Sequence, residues 1–164
     1  MRLGIDFGKV IIGPVINGKA DTSFLGNTFK KAMATPPSSD AFESVSELVE
    51  YFSGNTWIVS KCGPSVQQKT KAWLKHWDFY GETGLKKGNL RFCLERHQKA
   101  GICKQLCITH FIDDRLDVLE PMKGIVENLY LFGEQTCHIP NWVIHVPDWT
   151  STVNTIKAQY SCSD

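Results

Sequence analysis

The chain has 164 residues, 42% of them hydrophobic and 21% charged, with a formal net charge of +1. That length and balance describe one globular domain, residues 1–164, large enough to bury about 70% of its unfolded surface without disulfide staples. No apolar run approaches the ~20 residues that cross a bilayer, and the near-neutral total neither requires nor excludes nucleic acid, since a local patch can hide within it.

The first strand is read over residues 3–12, an apolar run interrupted by Asp6. Asp is disfavoured inside strands, so Asp6 is read as the strand's carboxyl end, the edge where open α/β sheets bind ligands. Gly13-Pro14, Asn17-Gly18 and Gly26-Asn27 punctuate a loop or hairpin region that runs to Pro36-Pro37. Ser38-Ser39-Asp40 then offers an N-cap, and Phe42, Val45, Leu48, Val49 and Phe52 recur at helical spacing. Thr56 to Cys62 is a β-branched strand containing Ser60, and Gly63-Pro64-Ser65 opens a helix carrying Val66, Thr70, Trp73, Leu74 and Trp77.

Residues 79–88 are turn-rich, 89–94 read as a short strand, and 99–106 as a helix starting at Lys99. Residues 107–112 form a strand that ends in Asp113-Asp114. A helix or helical turn spans 118–126, strands cover 129–133 and 142–146, and a helix closes the chain over 150–160. Strands alternating with helices predict βαβ units, hence a three-layer, Rossmann-like α/β sandwich with a mainly parallel sheet. Two strands that both end in carboxylate predict one site of concentrated negative charge, of the kind that holds a hard divalent cation.

Six cysteines occur, at 62, 93, 103, 107, 137 and 162, without a CxxC or a zinc-type Cys/His spacing. Cys93 and Cys107 lie in apolar runs and are expected in the core. Met1-Arg2 leads straight into the first strand with no signal-peptide pattern. Reduced thiols and a cytoplasmic location are therefore expected. His138 and His145 lack partners at ligand spacing, and His110 is read as structural rather than basic.

In order, the chain presents Ile5-Asp6-Phe7-Gly8-Lys9-Val10-Ile11, then Ser60 after an apolar strand, then Lys99 on a helix, then Phe111-Ile112-Asp113-Asp114-Arg115-Leu116-Asp117. This series resembles the four motifs of the haloacid dehalogenase-like superfamily, most of whose members are phosphohydrolases. The first and fourth motifs are the specific ones. The resemblance implies Asp6 as a nucleophile forming an aspartyl-phosphate. It implies Mg²⁺ held by Asp6, the Gly8 carbonyl, Asp113 and Asp114, with Asp117 in support. Ser60 and Lys99 would bind the phosphoryl oxygens of a phosphorylated substrate, with Lys104 a rival for Lys99.

Gly8 stands where the family's phosphatases usually carry a second Asp as general acid and base, although some branches have Asp-x-Gly. That help is worth ~10²–10⁴ in rate, so weak hydrolysis is one expectation and a catalytically silent binding or regulatory module another. The stretches between the motifs are no longer than the core's own elements require, so the domain reads as capless. An open site of that kind suits a large substrate or a protein partner that excludes water. Leu3-Gly4-Ile5-Asp6-Phe7-Gly8 also resembles the opening strand of ribonuclease H-like, Holliday-junction-resolvase-type nucleases. No basic footprint accompanies it.

Overall fold

The structure, a computed structural model, describes residues 1–13, 15–16, 19–20 and 28–160. Six strands form one sheet: β1 (Leu3–Ile5), β4 (Thr56–Lys61), β5 (Leu90–Cys93), β6 (His110–Asp113), β7 (Asn128–Phe132) and β8 (Ile144–Val146). Their order is β5-β4-β1-β6-β7-β8, and every pairing is parallel. A separate two-stranded antiparallel ladder joins β2 (Val15–Ile16) and β3 (Lys19–Ala20).

Strand alternation sends successive side chains to opposite faces, and both faces are covered. Leu3, Ile5, Ile58, Ile112, Tyr130, Phe132 and Val146 share one core with three long helices. These are α2 (Ala41–Tyr51), α3 (Pro64–His76) and α7 (Trp149–Ala158). The predicted helical stripe of α2 is the buried one: Val45 and Leu48 are fully enclosed. In α3 the same holds for Trp73 and Leu74, and the Trp73 indole donates to the carbonyl of Thr35 at 2.8 Å. On the other face Trp57, Val59, Phe111, Leu129 and Leu131 pack with Ala100 and Cys103 of α5 (Gln98–Gln105) and Val118 and Leu119 of α6 (Leu116–Leu119). The molecule is a three-layer, Rossmann-like α/β sandwich.

Several elements differ from the sequence reading. The run 3–12 is a strand only to Ile5. Lys9 adopts a left-handed φ of 60°, and the amides of Ile11 and Ile12 donate back to the Phe7 carbonyl. The chain therefore turns immediately after Asp6, and Val10, Ile11 and Ile12 enter the core from a loop rather than from a strand. Apolar content records burial without distinguishing the two.

A short helix, α1 (Phe29–Ala34), occupies the region read as loop, with Thr28 capping the amide of Lys31. Residues 79–88 likewise include a one-turn helix, α4 (Phe79–Thr83). The helical stretch expected over 118–126 begins earlier, at Leu116, and passes into a 3₁₀ turn over Glu120–Met122. Cys107 is exposed, in a left-handed turn at the end of α5, not in the core. Cys62, Cys93 and Cys103 are buried free thiols, and no disulfide joins the described cysteines. No helix among the described residues is long and apolar enough to cross a membrane.

Candidate functional site

In chain order the sheet grows outward from β1 through β4 to β5, then returns to the other side of β1 for β6, β7 and β8. The direction reverses between β1 and β6, and the crevice beyond the carboxyl ends at such a switch point is where this architecture takes ligands. Both predicted acid strands end there. The register pairs Ile5 with Ile112, and the Asp6 amide donates to the Ile112 carbonyl at 2.9 Å. That bond sets Asp6 beside Asp113.

Three carboxylates converge: one oxygen from each of Asp6, Asp113 and Asp114 lies within 4.8 Å of the others. Between two of them stands Lys99, from the first turn of α5. Its ammonium donates to Asp6 Oδ1 and to Asp113 Oδ2, each at 2.7 Å. Lys99 is 2% exposed and Asp113 fully buried. Burial alone would favour the neutral amine, but the two carboxylates together hold Lys99 well above its ordinary value. Asp113 Oδ1 also accepts from the Arg115 amide at 3.1 Å.

Three carboxylates face this one ammonium, an excess of two negative charges. The excess is felt locally. Burial, then the charge of Asp6, pushes the Asp113 carboxyl well up and brings Asp114 to about 6. Oxygen donors with unneutralised negative charge suit a hard divalent cation and offer nothing to a thiophilic one.

The cluster forms part of the wall of a cavity of about 310 Å³. Ser60, 5% exposed, lies in the same wall, as does Gly63 at the N-terminus of the 13-residue α3. A helix start of that length presents amides and a positive dipole end suited to an anion. Gly8 also lines the cavity, and a Cβ built on it would meet nothing within 4 Å. Its missing side chain is therefore not a steric requirement of the fold.

The structure thus gathers Asp6, Gly8, Ser60, Lys99, Asp113 and Asp114 around one crevice. Lys104 is exposed and absent from the cavity wall, so Lys99 alone occupies the place the two lysines contested. Asp117 is not part of the acidic cluster. It forms a two-bond pair with Arg115, at 2.8 and 2.9 Å, and lies 3.9 Å from Arg96. His110 points inward and stacks on Tyr130, while the exposed His145 ring bonds the Gly133 carbonyl at 2.8 Å.

Sequence reasoning passed over Lys9, Lys61, Arg96 and Thr70, all of which line the cavity. Thr70 is fully buried, and its Oγ1 has no hydrogen-bond partner among the described residues. Only Lys9 carried a usable signal, its closeness to Asp6. The helical spacing of Thr70 marked it simply as part of a buried stripe. No protein-family model and no curated protein sequence matches the chain.

Proposed function

We propose that this protein is a haloacid dehalogenase-like, Mg²⁺-dependent phosphohydrolase acting on a phosphate monoester. The observation that carries the reading is the meeting of Asp6, Asp113 and Asp114 around Lys99 at the switch point. Phosphoryl transfer is mainly positioning and charge neutralisation, and this crevice supplies both kinds of group. Asp6, Asp113, Asp114 and the Gly8 carbonyl would hold Mg²⁺, which when bound offsets the charge of the carboxylates and of the phosphoryl oxygens.

The remaining chemistry belongs to the chain. Lys99 holds one oxygen of Asp6 and so restrains rotation of that carboxylate. An Asp6 oxygen forms a bond to phosphorus as the bond to the leaving oxygen breaks. Water then attacks the aspartyl-phosphate, releasing orthophosphate and restoring Asp6. Ser60, the amide end of α3 and Lys99 hold the phosphoryl oxygens. With glycine at position 8, the departing oxygen takes its proton from solvent, which favours leaving groups of low basicity.

Para-nitrophenyl phosphate therefore tests the reading. We expect slow, Mg²⁺-stimulated release of nitrophenolate that Asp6→Asn abolishes. A folded wild-type protein that binds Mg²⁺ but releases nothing over the uncatalysed rate sinks the hydrolase reading and leaves a silent module of the same fold. The ribonuclease H-like alternative has only the shared acids in its favour.

A further inference from the structure

Three cations in the cavity wall are left over from the pairing just described. Lys99 is committed to Asp6 and Asp113, and Arg115 to Asp117. Lys9 and Lys61 form no ion pair among the described residues, and Arg96 has only the 3.9 Å approach to Asp117. All three are exposed at the cavity rim. They come from separate elements: the turn after β1, the end of β4, and the loop between β5 and α5. Lys9 is held there in a left-handed conformation, uncommon for a residue with a side chain.

We infer that Lys9, Lys61 and Arg96 form a second anion subsite, so that the preferred ligand is a small phosphate ester whose leaving group carries a further phosphate or carboxylate. Bound Mg²⁺ and Lys99 would balance the three carboxylates, and Ser60 and the start of α3 would donate hydrogen bonds to one phosphoryl group. A simple monoester leaves Lys9 and Lys61 without an ion pair among the described residues and Arg96 with only its 3.9 Å approach to Asp117, whereas a second anionic group a few bonds away would meet them. A cavity of about 310 Å³ admits a compound of that size and is near the lower end of small-molecule sites.

The inference takes its substrate language from the hydrolase reading, but the subsite can be tested without turnover. Isothermal titration in Mg²⁺ at about 0.1 M salt compares glycerol 3-phosphate, 3-phosphoglycerate and 2,3-bisphosphoglycerate, with turnover followed separately on para-nitrophenyl phosphate. The protein is the wild type, the triple variant Lys9→Gln, Lys61→Gln, Arg96→Gln, or a charge-matched control, Lys75→Gln, Lys87→Gln, Lys104→Gln. The control sites are exposed and outside the cavity wall.

We expect wild type and control to bind at least one doubly anionic ligand about tenfold or more tighter than glycerol 3-phosphate, as for a few charge-assisted contacts. The carboxylate and bisphosphate arms show which second group the rim prefers. In the rim variant the preference should fall below about twofold, and in the wild type it should weaken as salt rises. Equal affinities in the wild type, or a preference that survives in the rim variant or disappears equally in the control, overturn the subsite. A rim-dependent preference with no Mg²⁺-stimulated release from para-nitrophenyl phosphate upholds the subsite and removes the hydrolase reading. Release without preference does the reverse.

Discussion

Replacing Lys99 by Met keeps the length of the side chain and removes the one cation buried between Asp6 and Asp113. Both carboxylates then lose a 2.7 Å partner in a place where Asp113 has no exposed surface. Breaking a buried ion pair by deleting one partner costs about 3–5 kcal/mol, because the surviving charge stays buried. For a domain of this size that corresponds to a fall in Tm of roughly 6–20 °C. Thermal and urea unfolding of the two proteins measures it, in EDTA and again in Mg²⁺.

Two further signs belong to the same argument. The variant's crevice keeps three carboxylates and no ammonium, so Mg²⁺ should stabilise it more than it stabilises the wild type. A ligand at 100 times its Kd adds about 2.7 kcal/mol. Asp113 already sits above the usual carboxylate range, and losing Lys99 raises it further. A group with a raised folded pKa binds more protons folded than unfolded, so its stability contribution falls as pH rises from about 4. The variant's deficit should thus be largest at neutral pH and shrink toward pH 4. A loss below about 1 kcal/mol at pH 7 in EDTA would refute the account of Lys99 as the buried counter-ion of this site.

Gly8→Asp should fold normally, since its Cβ enters open space at an ordinary φ, and should raise the rate on aryl phosphate toward the ~10²–10⁴ that a general acid supplies; an unchanged or lower rate counts against the placing of position 8. Gly4→Ala should destabilise by about 1–3 kcal/mol through overpacking, because a Cβ there would lie 2.4 Å from Phe111 Cδ2; urea midpoints measure this, and wild-type stability would contradict the packing. His110 is buried neutral, brought to about 4 by burial and then by the N-terminal ammonium. The unfolded chain alone takes up this proton between its ordinary value and about 4, so the His110 contribution is complete above about 6.5 and declines at up to ~1.4 kcal/mol per pH unit below it. Comparing wild type with His110→Gln across that window isolates the slope, and identical pH profiles would contradict it.

The strands and long helices could be read along the chain because their patterns are local. Trp57-Ile58-Val59 is β-branched and apolar, and the α2 and α3 stripes repeat at helical spacing. Asp6 announced the end of β1 because an acid is disfavoured in the interior of a buried strand. What failed was equally physical. Val10, Ile11 and Ile12 prolonged the apolar run although the chain had already turned at Lys9, and burial in a loop looks the same in sequence as burial in a strand.

Residue type and order alone determined an α/β domain with two acid-ended strands and a lysine on the helix between β5 and β6. The choice of Lys99 over Lys104, the departure of Asp117 to Arg115, and the gathering of Lys9, Lys61 and Arg96 at one rim belong to the tertiary structure. Side chains far apart along the chain become neighbours only through strand order and register. Here the pairing of Ile5 with Ile112 beside the switch point brings the carboxylates together around one cation.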